Sequence, residues 1–255
     1  MTGDPLNREL LELFRHKIDQ AILNKDWDGL RFLLRSANDD LEGLSSQQLE
    51  YLKDQYNPAW WEPLEARNIE LHRRGPEHAE FVQNVFSAPM FVHQFSPSLQ
   101  PLVGDRSHLK QRLHHEYLTP PLLSCNAHWV VLSQAEPVGI ISLCGLDFAH
   151  KKAEFLVGFP RRDRSFSSVG SSLILIDHAF NRLGLEKLFS LVRLDNELSQ
   201  KSTESLGFRN EGILYGELLD QKSGQRHSLY RNGLLRSEFE ASSRTQKLME
   251  RYKSN

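Results

Sequence analysis

The stretch GSSLILIDHAFNRLGLEKLFSLVRLDNELSQKSTESLGF, residues 170–208, decides the fold, because it reads as helix, strand and helix with a stop or start signal at each junction. Leu173, Ile176, Ala179, Phe180 and Leu183 fall on one helical stripe that stops at Gly184, a residue that tolerates the left-handed turn ending a helix. Leu188 to Leu194 is a short apolar run containing Phe189 and Val192, which predicts a strand, and Asp195-Asn196 is helix-start chemistry. The helix that follows is expected to close at Leu206-Gly207-Phe208.

Working upstream, residues 76–88 and 106–118 carry helical patterns. Ala127 to Gln134, with Trp129, Val130, Val131 and Leu132, predicts a strand; Ala135-Glu136-Pro137 is expected to turn before a second strand from Val138 to Leu146. Asp147 to Lys151 makes the next hairpin and leads into Ala153–Phe159, where Glu154, Leu156 and Gly158 share one face and Ala153, Phe155 and Val157 the other. The first 60 residues read as helices, with Leu10, Leu11, Phe14, Ile18, Ala21 and Ile22 on one stripe and Leu30, Leu33, Leu34, Ala37 and Leu41 on another. Ser45 with Gln48 three residues on predicts a capping box, Asn57-Pro58 ends that element, and residues 59–63 form the junction. So many periodic leucines point to a packed helical cap rather than a flexible tail, with shielding of the sheet preferred over partner binding as its purpose. Trp60 and Trp61 are expected to seal the core there rather than line a groove.

The 255 residues suit one ordinary domain plus an appendage. No apolar run approaches the roughly 18 residues that span a bilayer, and MTGDPLNREL has no basic segment followed by an apolar one, so a cytoplasmic protein is expected. Cys125 and Cys144 have no partner at metal or redox spacing and are read as reduced, with Cys144 a small buried thiol in a strand. The formal net charge of −2 argues against wholesale nucleic-acid binding, but it divides unevenly: residues 1–66 hold 13 acids and 7 bases, the remainder 20 acids and 24 bases. A mildly basic second part suits a phosphate-bearing ligand and equally suits ordinary surface variation. His114 and His115 are adjacent, so on a helix they point about 100° apart and do not share one ion; no metal is expected.

With Asn196 three residues before Ser199, and Leu206-Gly207-Phe208 closing the helix, the central stretch resembles the GNAT superfamily of N-acyltransferases. Within that superfamily it resembles the ribosomal-protein N-terminal acetyltransferase (Rim-like) branch. Glu211-Gly212-Ile213-Leu214 continues the likeness, Gly233–Phe239 looks like that branch's closing strand with phenylalanine in place of its usual final tryptophan, and Asn68–Arg73 looks like its first strand. The resemblance covers about residues 67–240 and implies a mixed α/β (α+β) fold, a mostly antiparallel sheet flanked by helices. The expected organisation is a helical cap over 1–63, an acyltransferase domain over 64–240 and a helical or disordered tail over 241–255. The implied activity is transfer of an acetyl or other acyl group from acyl-CoA to a primary amine of a small molecule, peptide or protein. No covalent enzyme intermediate and no metal are required.

Such a transfer must hold the donor, deprotonate the amine and stabilise charge at the carbonyl. An alkyl amine of pKa about 10.4 is neutral in roughly one molecule in a thousand at pH 7, a handicap of about 4 kcal/mol that a positioned base helps to recover. The resemblance implies that Phe155, Leu156 and Val157 present backbone to the pantetheine arm and that Glu154 is the general base, against the plain alternative of a solvent-facing strand residue; Glu217 and His227 are the replacements. By the same resemblance Asn196 hydrogen-bonds the arm and Ser199 protonates the departing thiolate, directly or through water, Thr203 standing where many relatives carry a tyrosine. The alternative is that both side chains simply cap their helix.

The phosphate loop departs from the family pattern Arg/Gln-x-x-Gly-x-Gly/Ala, since Ser165 to Gly170 has serine for the basic residue and for the first glycine, with Arg164 one place early. Glycine lets the N–H groups at a helix start approach a pyrophosphate closely, and serine is the mildest obstruction. Arg164, Ser168, Val169, Gly170 and Ser171 are therefore the candidate phosphate contacts, Arg161 and Arg162 being read as solvated. Two donors stay open: acyl-CoA, with serine hydroxyls helping to hold it, or an acyl group on a carrier protein, which needs no pyrophosphate site. A different class of answer is a non-catalytic binding module that keeps the fold and offers the acidic cap to a partner.

Overall fold

The computed structural model describes residues 5–41, 44–88, 91, 106–161, 165–220 and 223–253 of the chain. Three helices come first, α1 (Pro5–Leu23), α2 (Trp27–Asp40) and α3 (Ser46–Gln55). Asp26 starts α2 by accepting the Gly29 N–H at 2.9 Å. Ser45 starts α3 with the predicted reciprocal box: its Oγ accepts from Gln48 N at 3.3 Å and its own N–H donates to Gln48 Oε1 at 2.8 Å. Phe14, Ile18, Ile22, Leu30 and Leu52 turn inward and share one apolar cluster with Trp129 and Ile141 of the sheet. Each such side chain is worth roughly 1.5–3 kcal/mol on burial, so the cap belongs to the core. Trp61 seals the junction, fully buried, donating its indole N–H to the Tyr117 carbonyl at 2.7 Å and stacking on Tyr56.

The sheet has eight strands: β1 (Leu64–Ala66), β2 (Ile69–Arg73), β3 (Asn126–Ser133), β4 (Glu136–Asp147), β5 (Lys152–Gly158), β6 (Lys187–Arg193), β7 (Arg209–Leu219) and β8 (Arg226–Leu235), in the order β1-β2-β3-β4-β5-β6-β8-β7. Every neighbouring pair is antiparallel except β5 and β6. A crossover helix, α7 (Ser165–Asn181), joins those two strands, as a parallel connection requires. Helices α4 (Ala79–Phe86), α5 (Arg106–Leu118) and the single turn α6 (Pro121–Ser124) link β2 to β3; α8 (Glu197–Ser205) follows β6, and α9 (Arg236–Ala241) and α10 (Ser243–Lys253) close the described chain. Alternation along β5 splits the core in two: Ala153 and Phe155 join the cluster of α7 and the cap, whereas Leu156 joins Val82, Val85 and Phe86 of α4 and Leu109 and Leu113 of α5.

Two sequence expectations are overturned. Glu136 and Pro137 lie in β4 rather than in a turn, because Gln134 and Ala135 take positive φ (53° and 65°) and make a two-residue loop, and Pro137 sits beside a bulge that tolerates its missing N–H. The closing strand stops at Leu235, not Phe239. There Glu238 accepts the Leu235 N–H at 3.3 Å, starting α9, and Phe239 packs on Phe180 with ring centroids 5.5 Å apart. Among the described residues no helix is long and apolar enough to cross a membrane.

Two buried bases carry consequences for stability. The Arg73 guanidinium is 2% exposed, lies 5.7 Å above the Trp129 ring and has no hydrogen-bond partner among the described residues; burial pushes its pKa down to about 10. Burial outweighs the attraction of the nearby Glu116 carboxylate, so Arg73→Met is expected to raise the urea unfolding free energy by about 1–3 kcal/mol, and a fall would show that the Glu116 attraction and the Trp129 contact prevail. His178 on α7 donates through Nε2 to the Ala59 carbonyl at 3.0 Å, tying the cap junction to the helix, and burial pushes its pKa from 6.5 to about 4. Its neutral form therefore contributes stability that is present above 6.5 and is lost as pH falls through about 4. Urea titrations between pH 7 and pH 4.5 are expected to show His178→Gln with a shallower fall than the parent chain, by up to one proton or about 1.4 kcal/mol per pH unit.

Candidate active site

β5 and β6 pair for only three positions, Lys152↔Lys187, Ala153↔Leu188 and Glu154↔Phe189. Beyond Glu154 the strands part company: Phe155–Gly158 pair with β4 alone, and Ser190–Arg193 with β8 alone. The result is a V-shaped gap whose β5 edge, Phe155–Gly158, carries backbone groups without a β6 partner, a place where an extended ligand can pair as a strand does. Both α7 and α8 begin at the open end of this gap, after the carboxyl ends of β5 and β6, where parallel strands generally present their ligand sites.

Glu154 sits at the vertex. It stands opposite Cys144 of β4 and in register with Phe189 of β6, on the face covered by α4 and α5. Burial pushes its carboxyl from 4.5 up to about 7, opposed by the Arg231 guanidinium. Arg231 lies on the Phe189 ring, 4.6 Å from the centroid, and its Nε is 3.5 Å from Glu211, which also holds Lys187. Cys144 is half-buried, and burial together with the Glu154 charge pushes its thiol up to about 12, which makes it inert as a nucleophile. Two residues along the same strands, His128 Nδ1 lies 2.8 Å from Ser142 Oγ, and burial drives the imidazole down to about 3, so it is neutral. Arg74 donates two hydrogen bonds to Glu116, at 2.9 and 2.7 Å, which takes that carboxylate down to about 2. A carboxyl titrating near neutrality is what proton abstraction requires; the Glu116 value is that of a structural ion pair.

At the open end, Asn196 caps α8, its Oδ1 accepting from Ser199 N at 3.2 Å, and its Nδ2 remains a donor. Ser199 is half-buried in the first turn, and Thr203 is buried one turn further on. Ser168 and Val169 are half-buried near the start of α7. Gly170 and Ser171 turn inward instead: a Cβ on Gly170 would lie 2.5 Å from Ile69 Cδ1 and 2.6 Å from the Tyr252 ring, and Ser171 donates to the Ser168 carbonyl at 3.1 Å. Gly170 thus allows close packing of α7 on β2 and α10. Arg164 lies outside the described residues. Glu217 is exposed on the edge strand β7, and His227 Nδ1 accepts from Arg193 at 3.2 Å.

The overall fold recurs in known structures. One described as an acetyltransferase matches with a TM-score of 0.60 at 24% identity, over 74% of this chain and 96% of its own. An acetyltransferase structure from T. thermophilus matches at 0.59 and 25% identity, over 74% and 96%. The fold is that of the GNAT acetyltransferases. A chimera of spermidine N-acetyltransferase SpeG from Vibrio cholerae and hSSAT also shares it, with a TM-score of 0.58 at 19% identity over 69% of this chain and 100% of that one. No protein-family model and no curated protein matches the sequence.

Sequence reasoning missed Arg231 and Tyr252. Arg231 comes within electrostatic range of Glu154 only because β8 lies beside β6, a non-local pairing that no spacing announces. Tyr252 stacks on Phe166 in the first turn of α7 and donates to its carbonyl at 3.2 Å, from 86 residues away.

The environment of Glu154 has a thermodynamic signature. The protonated carboxyl contributes stability that is present below 4.5 and is lost as pH rises through about 7. Glu154→Gln, which keeps the shape without the charge, is expected to unfold at higher urea than the parent at pH 8, by about 1–3 kcal/mol, with the difference shrinking toward pH 5.

Proposed function

We propose that this chain is an N-acyltransferase that moves an acetyl or other acyl group from acyl-CoA to a primary amine. The observation that carries the reading is the half-buried Glu154 carboxyl, held near pH 7 at the vertex of a gap whose β5 edge is free to pair with an extended arm. The pantetheine arm lies along Phe155–Gly158, its amides pairing with the strand's, and the Asn196 amide donates to it from the start of α8. The acceptor ammonium gives its proton to the Glu154 carboxylate. The neutral nitrogen attacks the thioester carbonyl, the tetrahedral intermediate gives its second nitrogen proton to water as it collapses, and the C–S bond breaks. The thiolate then takes a proton from Ser199, which recovers one from water, while Glu154 releases its own to solvent. Attack is direct and needs no covalent enzyme intermediate. The mildly basic acyltransferase segment favours a polyphosphate donor, and the chain works in the cytoplasm.

For the donor, the first turn of α7 supplies N–H groups that an α-helix leaves unpaired, and these suit a pyrophosphate. Phe166, however, is 52% exposed in that same turn, an apolar ring where a phosphate site would use polar side chains, which favours a second reading in which the acyl group arrives on a carrier protein. For the acceptor, the Rim-like sequence pattern favours a protein N-terminus and the SpeG likeness a polyamine.

Calorimetry with acetyl-CoA, and separately with acetylated acyl carrier protein, is expected to give heat with the first. Heat only with the second reassigns the donor, and none with either sinks the enzyme reading. Against a panel of N-terminal peptides and spermidine, Glu154→Gln and Ser199→Ala are each expected to lower turnover by about 10²–10⁴ while the far-UV circular dichroism stays unchanged.

A further inference from the structure

We propose that Arg231 is the positioning residue for Glu154, a fixed cation that keeps the carboxylate ionised and turned into the gap. The inference rests on the reading of Glu154 as base. Geometry supports it from three sides. Phe189 is the register partner of Glu154 across the last paired position of β5 and β6, so the two side chains stand on one face as nearest neighbours. The Arg231 guanidinium lies on that ring, 4.6 Å from its centroid, which fixes a cation on the side chain that neighbours Glu154 across the strands. Glu211 braces the guanidinium from β7 at 3.5 Å, and Lys187 braces Glu211 in turn.

The other groups on this face leave the task to Arg231. Lys187 is committed to Glu211, Cys144 of β4 stays protonated, His128 of β3 is neutral and Glu116 of α5 is matched by Arg74. α4 offers Val82, Val85 and Phe86, which desolvate without charge. Burial alone favours a protonated acid, which cannot take a proton from an incoming ammonium. A single fixed cation offsets part of that penalty and leaves the group near neutrality, and the same cation disfavours the ammonium form of the acceptor at the point of attack.

The test reads Glu154 itself and needs no substrate. The full chain is labelled with ¹³C at the glutamate δ carbons, the Glu154 resonance is assigned by its loss in Glu154→Gln, and its midpoint is followed by NMR across pH. In Arg231→Met the midpoint is expected to rise by about one unit, with Arg231→Lys returning most of it. Phe189→Leu, which removes the seat while keeping the charge in the chain, is expected to shift the midpoint the same way and serves as well should Arg231→Met fail to fold. A merely structural role would lower the melting temperature and leave the midpoint in place. An unmoved midpoint in Arg231→Met, or in Phe189→Leu if that variant alone folds, overturns the proposal. Failure of the reading of Glu154 as base looks different: Glu154→Gln would keep full turnover whatever the titration of the Glu154 carboxyl in the parent chain showed.

Discussion

Three parallel residue pairs between β5 and β6 are the constraint on which the site depends. Fewer would leave the two halves of the sheet unjoined, and more would close the gap that admits a ligand. Each strand is committed on its other side, β5 to β4 through Gly158 and β6 to β8 through Arg193, so neither is drawn across to the other by unmet hydrogen bonds alone. Beneath the gap, Phe155 and Phe208 pack at 5.7 Å, filling the layer under the vertex with aromatic volume from β5 and from the turn after α8.

Burial explains why similar carboxyls differ so widely across this face. Glu116 is matched by a two-pronged Arg74 and stays ionised in acid, Glu211 is clasped at the surface by Lys187 and Arg231, and Glu154 has apolar neighbours and one cation at a remove. The first two arrangements hold structure together. The third leaves a carboxyl poised to change its charge near neutral pH, which costs stability and is therefore found where chemistry has a use for it.

The order β5–α7–β6–α8 was legible because each element has a clean period and a chemical stop: the Leu173–Leu183 stripe ends at Gly184, and Asn196 caps α8 as its type suggests. Glu154 was legible as a position but not as a titrating group, since its value depends on α4, α5 and β8 arriving from elsewhere in the chain. The serine-rich start of α7 is ambiguous for a specific reason: Gly170, a candidate phosphate contact by its place in the loop, also makes room for Ile69 and Tyr252, and no local pattern distinguishes a glycine needed for a ligand from one needed for a neighbour. The turn expected at 135–137 falls at Gln134-Ala135 for a related reason: non-glycine residues in the left-handed region leave no mark in the sequence, while Pro137 reads as punctuation and is strand.

The cap at first suggests an accessory piece, but Ile18, Ile22 and Leu30 lie in one continuous apolar cluster with Leu173 and Ile176 of α7, the helix whose start borders the gap. Core side chains that share a cluster lose their order together. A lesion in the opening helices is thus felt at the helix that borders the gap, and the chain inherits the fragility of its N-terminal quarter wherever it is synthesised, stored or degraded.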